Sequence, residues 1–507
     1  MQAPPRASSL ESATVERSAP GFPGFARRAL TLPADRLALW ALVGLCILAV
    51  VGFFTWVTYP NYDSYYSLLW GKEVLSLDKP SFEAYRAPTE HPLAIVFGAG
   101  LSLLGHDADR VMVLITLFAF VALAAGTYRL GRLCFTPFVG ALAALLVLTR
   151  FDFPSLAVRA YLDIPFMAMI VWAGALEVAR PRRGTVVFLL LAAAGLLRPE
   201  AWILSGVYFL WMSWDASWAD RFRYAALTAI GPVLWAATDF VVTGDPLFSL
   251  TSTKDLAAEL QRTKTGGDVV SALPLYLRAT VKTPVYFAGL LGLAIAIWKF
   301  PLRTIVPLVL FLAGAFTFVA TGVAGLSVIV RYLLVPSVMM TLFAAVALGG
   351  WSMLRSGAVQ WIWAGVAVVG VVGGVLYTTS HLKSNVFTEN LKYRGDSHRQ
   401  LVSLLEQPKV RAALKCGPLS VPNHKLIPEA RWILRRGKNG VIARSDPKTF
   451  RHTHRGVAVF TINRTAFVIQ QLADPTVPHK IVERELAPAP DFTRIATNGY
   501  YSAYARC

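Results

Sequence analysis

The chain has 507 residues, of which 55% are hydrophobic and only 16% charged, with a mean hydropathy of +0.51. This composition excludes an ordinary soluble globular protein and points to a polytopic α-helical membrane protein. The formal net charge of +19 would suit a nucleic-acid partner, but the basic residues fall in short clusters between apolar runs and in the last quarter, with no basic stripe interleaved with aromatics. Topology and lipid headgroups account for them instead, and no nucleic-acid partner is expected.

In chain order, residues 1–35 are rich in Pro, Ala, Ser and Arg and predict a disordered cytoplasmic tail. The first apolar run comes too late and runs too long for a cleaved signal peptide. A catalytic membrane domain is expected over 36–379, with about eleven spans at 37–57, 109–128, 136–150, 164–179, 185–197, 201–214, 225–243, 283–298, 303–322, 327–348 and 360–378. The short apolar run 92–105 reads as a juxtamembrane or re-entrant helix in the first outer loop. Only on that reading do the basic short loops (Arg27, Arg28 and Arg36; Arg129 and Arg132; Arg180, Arg182 and Arg183; Arg221 and Arg223; Lys299 and Arg303; Arg355) all stay cytoplasmic.

That topology places Asp63, Glu90, Asp163, Arg198, Glu200, the 244–282 loop and Arg331 on one outer face. Taken singly, each charge could snorkel or sit solvated in a loop. Ionisable groups at a membrane edge are functional candidates by default, and their convergence on one face marks a site.

Residues 380–507 lose the membrane composition and carry 21 Lys and Arg against 9 Asp and Glu. Alternation in "GVAVFTINRTAFVIQ" predicts strands and "PEARWILRR" a helix, so a small extracytoplasmic α/β domain is expected. Its basic charge would favour anionic lipid heads or an acidic acceptor polymer, or the domain simply caps the bundle. Of four cysteines, Cys46 and Cys134 lie in or beside the membrane. Cys416 and Cys507 fall in the outer segment, where an even pair reads as a disulfide that ties down the terminus.

The order of the motifs resembles the GT-C glycosyltransferases, in the branch of the bacterial protein O-mannosyltransferases and lipid A aminoarabinose transferases. The residues that carry the resemblance are "YPNYDSYY" directly after the first span, "APTEHPL", "YRLGRLCF", "RAYLDIPF", "LLRPEAW" and "VIVRYLLVP", which cover roughly 35–350. In that branch the first loop holds an acid soon after span one, matched by Asp63, and a later acid before a Pro-Leu element, matched by Glu90, Pro92 and Leu93. His91 stands where Lys or Pro is usual, and Asp63 is followed by Ser64 rather than by the second acid frequent in protein O-mannosyltransferases. The loop "VTGDPLFSLTSTKDLAAELQRTKTGG" is similar to one in actinobacterial members.

The resemblance implies transfer of a hexosyl or pentosyl group from a polyprenyl-phosphate carrier to an acceptor hydroxyl on a glycan, glycolipid or protein. The reaction would occur at the outer face of the plasma membrane, among its lipids, with inversion at the anomeric carbon. Asp63 would be the general base. Arg159, Arg198, Arg331 and Tyr332 would bind the donor phosphate, since guanidinium geometry suits phosphate. Glu90, His91, Asp163 and Glu200 would orient these groups or hold the sugar. No cofactor is required by the motifs, although a divalent cation near Asp63 and Glu90 is compatible with them.

Other readings stay open at this level. Arg159 and Asp163 could be an i,i+4 helix pair, and His91 could be purely structural. "RHTHR", with His452 and His454, lacks companions at metal-ligand spacing and reads as surface. A lipid or sugar transporter or flippase is the alternative function, though no internal repeat is evident.

Overall fold

The computed structural model describes residues 32–56, 58–381, 384–446, 448–449, 454–467 and 488–507. The predicted tail therefore lies largely outside the described residues, as does His452; His454 is exposed.

Sixteen helices build the membrane part: α1 (Leu32–Thr55), α2 (Tyr62–Leu75), α3 (Pro92–Ser102), α4 (Ala108–Cys134), α5 (Pro137–Thr149), α6 (Asp152–Ala157), α7 (Asp163–Ala179), α8 (Thr185–Gly195), α9 (Glu200–Ser213), α10 (Trp218–Thr243), α11 (Phe248–Glu259), α12 (Gly266–Val281), α13 (Thr283–Lys299), α14 (Pro301–Val323), α15 (Leu334–Gly349) and α16 (Ala358–His381). Their ends follow capping chemistry. Asn61, Thr136 and Ser217 side chains accept backbone N–H bonds at the starts of α2, α5 and α10, and Gly244, at φ 86°, closes α10.

Every expected span contains a helix, yet among the described residues six helices are long and apolar enough to cross a bilayer, or seven if α12 and α13, bent by 113°, count as one. The others, such as α5 with 13 residues and α8 with 11, fall short of the expected crossings. Helices whose flanks are covered by protein rather than lipid need not match the hydrocarbon thickness.

Burial orders the bundle. The most apolar stretch of the segment around α15 is 94% buried, against 6% for α1 and for α16, so α15 runs through the centre and α1 and α16 lie at the rim. The short helices α2 and α3 pack backbone to backbone. A Cβ on Gly71 would lie 2.2 Å from Ala99 N, and one on Gly98 would lie 2.3 Å from Ser67 O, so neither position accepts a side chain.

Helices α17 (Ser384–Leu405), α18 (Pro408–Ala413), α19 (Ile427–Leu434) and α20 (Arg464–Phe467) and five strands form the C-terminal unit. The strands are β1 (Leu419–Val421), β2 (Val441–Ala443), β3 (Gly456–Thr461), β4 (Thr493–Thr497) and β5 (Tyr501–Arg506), in sheet order β2-β1-β3-β5-β4. β1 pairs in parallel with β2 and β3, while β5 runs antiparallel to β3 and β4. Within the predicted strand region, Arg464–Phe467 is helical instead: after β3, Asn463 Oδ1 accepts from Ala466 N and starts α20, and residues 468–470 lie outside the described residues. Cys416 and Cys507 form a disulfide with Cα atoms 5.2 Å apart, fastening the end of β5 to the segment before β1.

This unit docks on the first loop. Arg431 of α19, only 1% exposed, donates to Glu73 Oε1 of α2 at 2.6 Å, and the Ser81 hydroxyl and N–H complete the carboxylate's bonds. The His398 ring stacks on Tyr59 at 4.6 Å, and Tyr85 donates to Ser445 O at 3.1 Å.

Candidate functional site

Asp63 sits in the first turn of α2, and local bonds set its position. Asn61 caps the helix by accepting from Asp63 N at 2.7 Å. Its own N–H donates to Arg159 O at 2.8 Å, and the Ser64 hydroxyl donates to Ala160 O at 2.5 Å. Ala160 adopts φ 54°, a left-handed turn just before α7. The start of α2 is thereby pinned to the start of α7, which brings two carboxylates a hundred residues apart, Asp63 and Asp163, into one site.

Two arginines join them. Arg331 Nη1 lies 3.4 Å from Asp63 Oδ2 and 3.3 Å from Asp163 Oδ2. Arg198, from the turn between α8 and α9, pairs with Asp163 through Nη1 and with Glu200 Oε1 through Nε at 3.0 Å and Nη2 at 2.6 Å. The result is an alternating chain: Glu200, Arg198, Asp163, Arg331, Asp63. Its inner end is closed, with the Asp163 and Arg198 side chains 3% and 10% exposed, while at its outer end those of Asp63 and Arg331 are 23% and 34% exposed. Burial alone would lower the Arg198 pKa, but Asp163 and Glu200 outweigh it and hold the guanidinium well above its ordinary value.

Aromatic rings line the cations. Tyr332 and Phe166 flank Arg198, with ring centroids 5.1 and 5.7 Å from its Cζ. Tyr161 lies 5.0 Å from the Arg331 Cζ and 4.9 Å from that of Arg159, whose Nη2 donates to the Tyr161 hydroxyl at 3.0 Å. Arg159 precedes α7 and contacts Tyr161, so the i,i+4 pair with Asp163 does not form.

Glu90 goes elsewhere. It is 1% exposed and accepts from the Ser249 hydroxyl at 2.7 Å. Ser249, the second residue of α11, also approaches both oxygens of Asp239 on α10, at 2.8 and 2.7 Å, and its N–H donates to Asp239 Oδ2 at 3.0 Å. Trp235 Nε1 donates to the same hydroxyl at 2.7 Å. Burial pushes the Glu90 carboxyl up to about 8, and the hydrogen bond to Asp239 adds to this, which favours its neutral form. The expectation that Glu90 orients the arginines is corrected: Asp163 and Glu200 hold that place, and Glu90 latches α11 to the first loop.

His91 lies between the two groups. Burial holds its ring near a pKa of about 4, so it is neutral, and its Nδ1 has no hydrogen-bond partner among the described residues. Its ring meets Trp235 edge to face at 6.0 Å. Among the described residues no group of three or more His, Cys, Asp or Glu side chains could hold a metal ion. A cation shared by Asp63 and Glu90 finds no support in this geometry, because the Glu90 carboxyl is bonded to Ser249.

Asn61, Tyr161, Asp239 and Ser249 were not singled out from sequence. Asp239 carried a usable signal, a carboxylate inside the predicted span 225–243. Ser249 carried none, since its role depends on a contact with Glu90 across 159 positions.

No family model and no curated protein sequence matches the chain. Solved structures do. ArnT from Cupriavidus metallidurans bound to undecaprenyl phosphate superposes with a TM-score of 0.52 at 13% identity, covering 94% of this chain and 98% of that one. The Archaeoglobus fulgidus oligosaccharyltransferase AglB, in complex with an inhibitory peptide and a dolichol-phosphate, gives 0.52 at 10% identity and covers 94% of this chain and 75% of that one. A complex of the same archaeal enzyme with Zn and sulfate gives 0.51 at 12% identity, covering 93% and 73%. These likenesses establish the fold: a multi-pass membrane protein of the GT-C architecture with a small C-terminal sheet unit.

Proposed function

We propose that this chain, a membrane protein with the GT-C fold, is a glycosyltransferase that moves a sugar from a polyprenyl-phosphate carrier to an acceptor hydroxyl, with inversion. The observation that carries the reading is the graded ionic chain, whose buried end fixes Asp163 and Arg198 and whose open end presents a carboxylate, Asp63, beside a guanidinium, Arg331. The structures it superposes on, solved with undecaprenyl phosphate and with a dolichol-phosphate, support the donor class.

In this mechanism the acceptor hydroxyl gives its proton to Asp63 as its oxygen bonds to the anomeric carbon. Asp63 Oδ2 faces Arg331, and Oδ1 has no protein partner among the described residues, which leaves it for the hydroxyl. The bond from the anomeric carbon to the phosphate oxygen breaks, and the polyprenyl phosphate departs with the electron pair. Arg331, with Arg159 beside it across Tyr161, balances the charge that develops there. Arg198 is already held by two carboxylates and acts as a positioning residue for Asp163. In this reading the site and the C-terminal unit lie on the outer face and the N-terminus in the cytoplasm, the sidedness that the basic short loops of the sequence favour.

The test is release of polyprenyl phosphate from a panel of carriers charged with mannose, arabinose or aminoarabinose, using the full chain reconstituted in bilayers with envelope extract as acceptor source. Turnover of at least one donor is expected. No turnover of any donor by folded protein would overturn the reading.

A further inference from the structure

A second charged cleft lies away from this site. About 230 Å³ in volume, it opens where the C-terminal half of α2, the end of α3 and the end of α19 meet. Four cations line it, Lys72, Arg431, Arg435 and Arg436, against two acids, Glu73 and Asp78, an excess of two positive charges. Two of the cations are occupied: Arg431 by Glu73, and Arg436 by the carbonyl of Gly417 at 3.2 Å. Lys72 and Arg435 have no hydrogen-bond or ion-pair partner among the described residues. Burial, followed by the Arg435 and Arg431 charges, lowers the Lys72 pKa, so the unpaired cations feel one another.

The backbone holds Arg435 in an uncommon state. It caps α19 at φ 53°, ψ 37°, a left-handed position that Gly or Asn fills at lower cost. Its guanidinium reaches the start of the span Gly105–Cys134, since a Cβ on Gly105 would lie 3.4 Å from Arg435 Nη2. The cleft therefore adjoins the N-terminal end of the apolar span that contains α4. Leu75 and Leu77, on either side of the lining residue Ser76, and Leu103 and Leu104, between the lining residues Ser102 and Gly105, are exposed, Leu77 by 96%. An apolar rim at a span's end beside unmatched cations has the two-part chemistry of a phospholipid: acyl chain below, phosphate above. Lys72 lies nine residues beyond Asp63 on the same helix, about 13 Å along its axis, so the cleft is separate from the reacting groups.

We propose that this cleft binds the phosphate headgroup of an anionic membrane lipid, held by Lys72 and Arg435 with its chains against the leucine rim. The bound lipid bridges α2 to α19 and so clamps the C-terminal unit onto the first loop.

The experiment is native mass spectrometry of the full chain released from bilayers of phosphatidylcholine with phosphatidylglycerol, scoring retained lipid. Wild type should keep phosphatidylglycerol in preference to phosphatidylcholine. K72Q/R435Q should lose about tenfold of that preference, while K409Q/R494Q, equal in charge and on exposed positions of the same C-terminal unit, should keep it. Unchanged retention in K72Q/R435Q, or equal loss in K409Q/R494Q, overturns the proposal. If inorganic phosphate alone raises the melting temperature of the lipid-free protein as much as phosphatidylglycerol does, the site is one for free phosphate and the lipid assignment falls. Folding of K72Q/R435Q is read from its melting in lipid-free detergent. Should it fail to fold, K72Q and R435Q are scored singly by the same ratio, with loss expected in each and retention in both overturning the proposal.

Discussion

Two carboxylate clusters stand side by side at one end of this bundle, and they differ in what surrounds them. Around Asp63 and Asp163 the acids alternate with guanidinium groups, and the outer members are partly open. Around Glu90 and Asp239 there is no cation in the hydrogen-bonded set; a hydroxyl and an indole N–H bridge two acids buried from solvent. The same side-chain chemistry therefore has two outcomes. An acid beside arginine is held in an ion pair, whereas Glu90, buried and facing another acid, is pushed toward its neutral form and serves as a structural bond. Proximity of carboxylates to a candidate site is not enough to assign them to it.

The largest effect should come from cutting the inner, closed end of the ionic chain. Arg198→Ala leaves Asp163 and Glu200 without their shared cation in a site almost sealed from water, and should cost about 3 to 5 kcal/mol of stability. The loss is read as a lower unfolding midpoint in detergent. A midpoint within experimental error of wild type would mean that Arg198 is not a positioning residue.

Arg331→Ala attacks the open end and should leave the unfolding midpoint near that of wild type, because its side chain is a third exposed. Donor affinity should fall instead, by about 1.5 to 3 kcal/mol for a lost charge-assisted contact to phosphate. Titration with a polyprenyl-phosphate analogue measures it. Unchanged affinity would place the phosphate elsewhere.

A pH-dependent effect sharpens the closed cluster. The folded-state pKa of Glu90 is raised to about 8 from an ordinary 4.5, so the folded protein binds the proton more tightly than the unfolded chain. Its contribution is present at low pH and is lost as pH rises from about 4.5 through 8. Glu90→Gln keeps the neutral hydrogen-bonding form and should flatten that decline, so that its melting temperature relative to wild type improves from pH 5 to pH 8. A difference independent of pH would show that Glu90 is not protonated in the fold.

Much of this was legible in the residues. Asp63 announced itself by following a span directly, and Arg198 and Arg331 by lying at the ends of apolar runs. The helices of the apolar runs followed from hydropathy, whereas α2, α6 and the two helices α11 and α12 of the 244–282 loop did not. The number of full crossings did not, because runs such as 137–149 and 185–195 are as apolar as a span yet form helices of 13 and 11 residues, short of the ~20 that a straight crossing needs. The partners of Glu90 were not legible because they are supplied by α10 and α11, about 150 residues on, and no local spacing encodes that contact. Ala160 in a left-handed turn, which aligns α2 with α7, likewise has no sequence signal, since alanine disfavours that conformation.

The central claim, that the open cluster performs chemistry and the closed one holds structure, is tested most directly by sugar transfer in reconstituted bilayers with Asp63→Asn and Glu90→Gln compared at one saturating donor concentration. Asp63→Asn should lose about 100-fold or more of turnover, the usual size of a general-base contribution, with donor affinity retained. Glu90→Gln should stay within about threefold of wild type, because it preserves the neutral hydrogen-bonded form. More than about a tenth of activity in Asp63→Asn, or a collapse of turnover in a well-folded Glu90→Gln, would contradict the account.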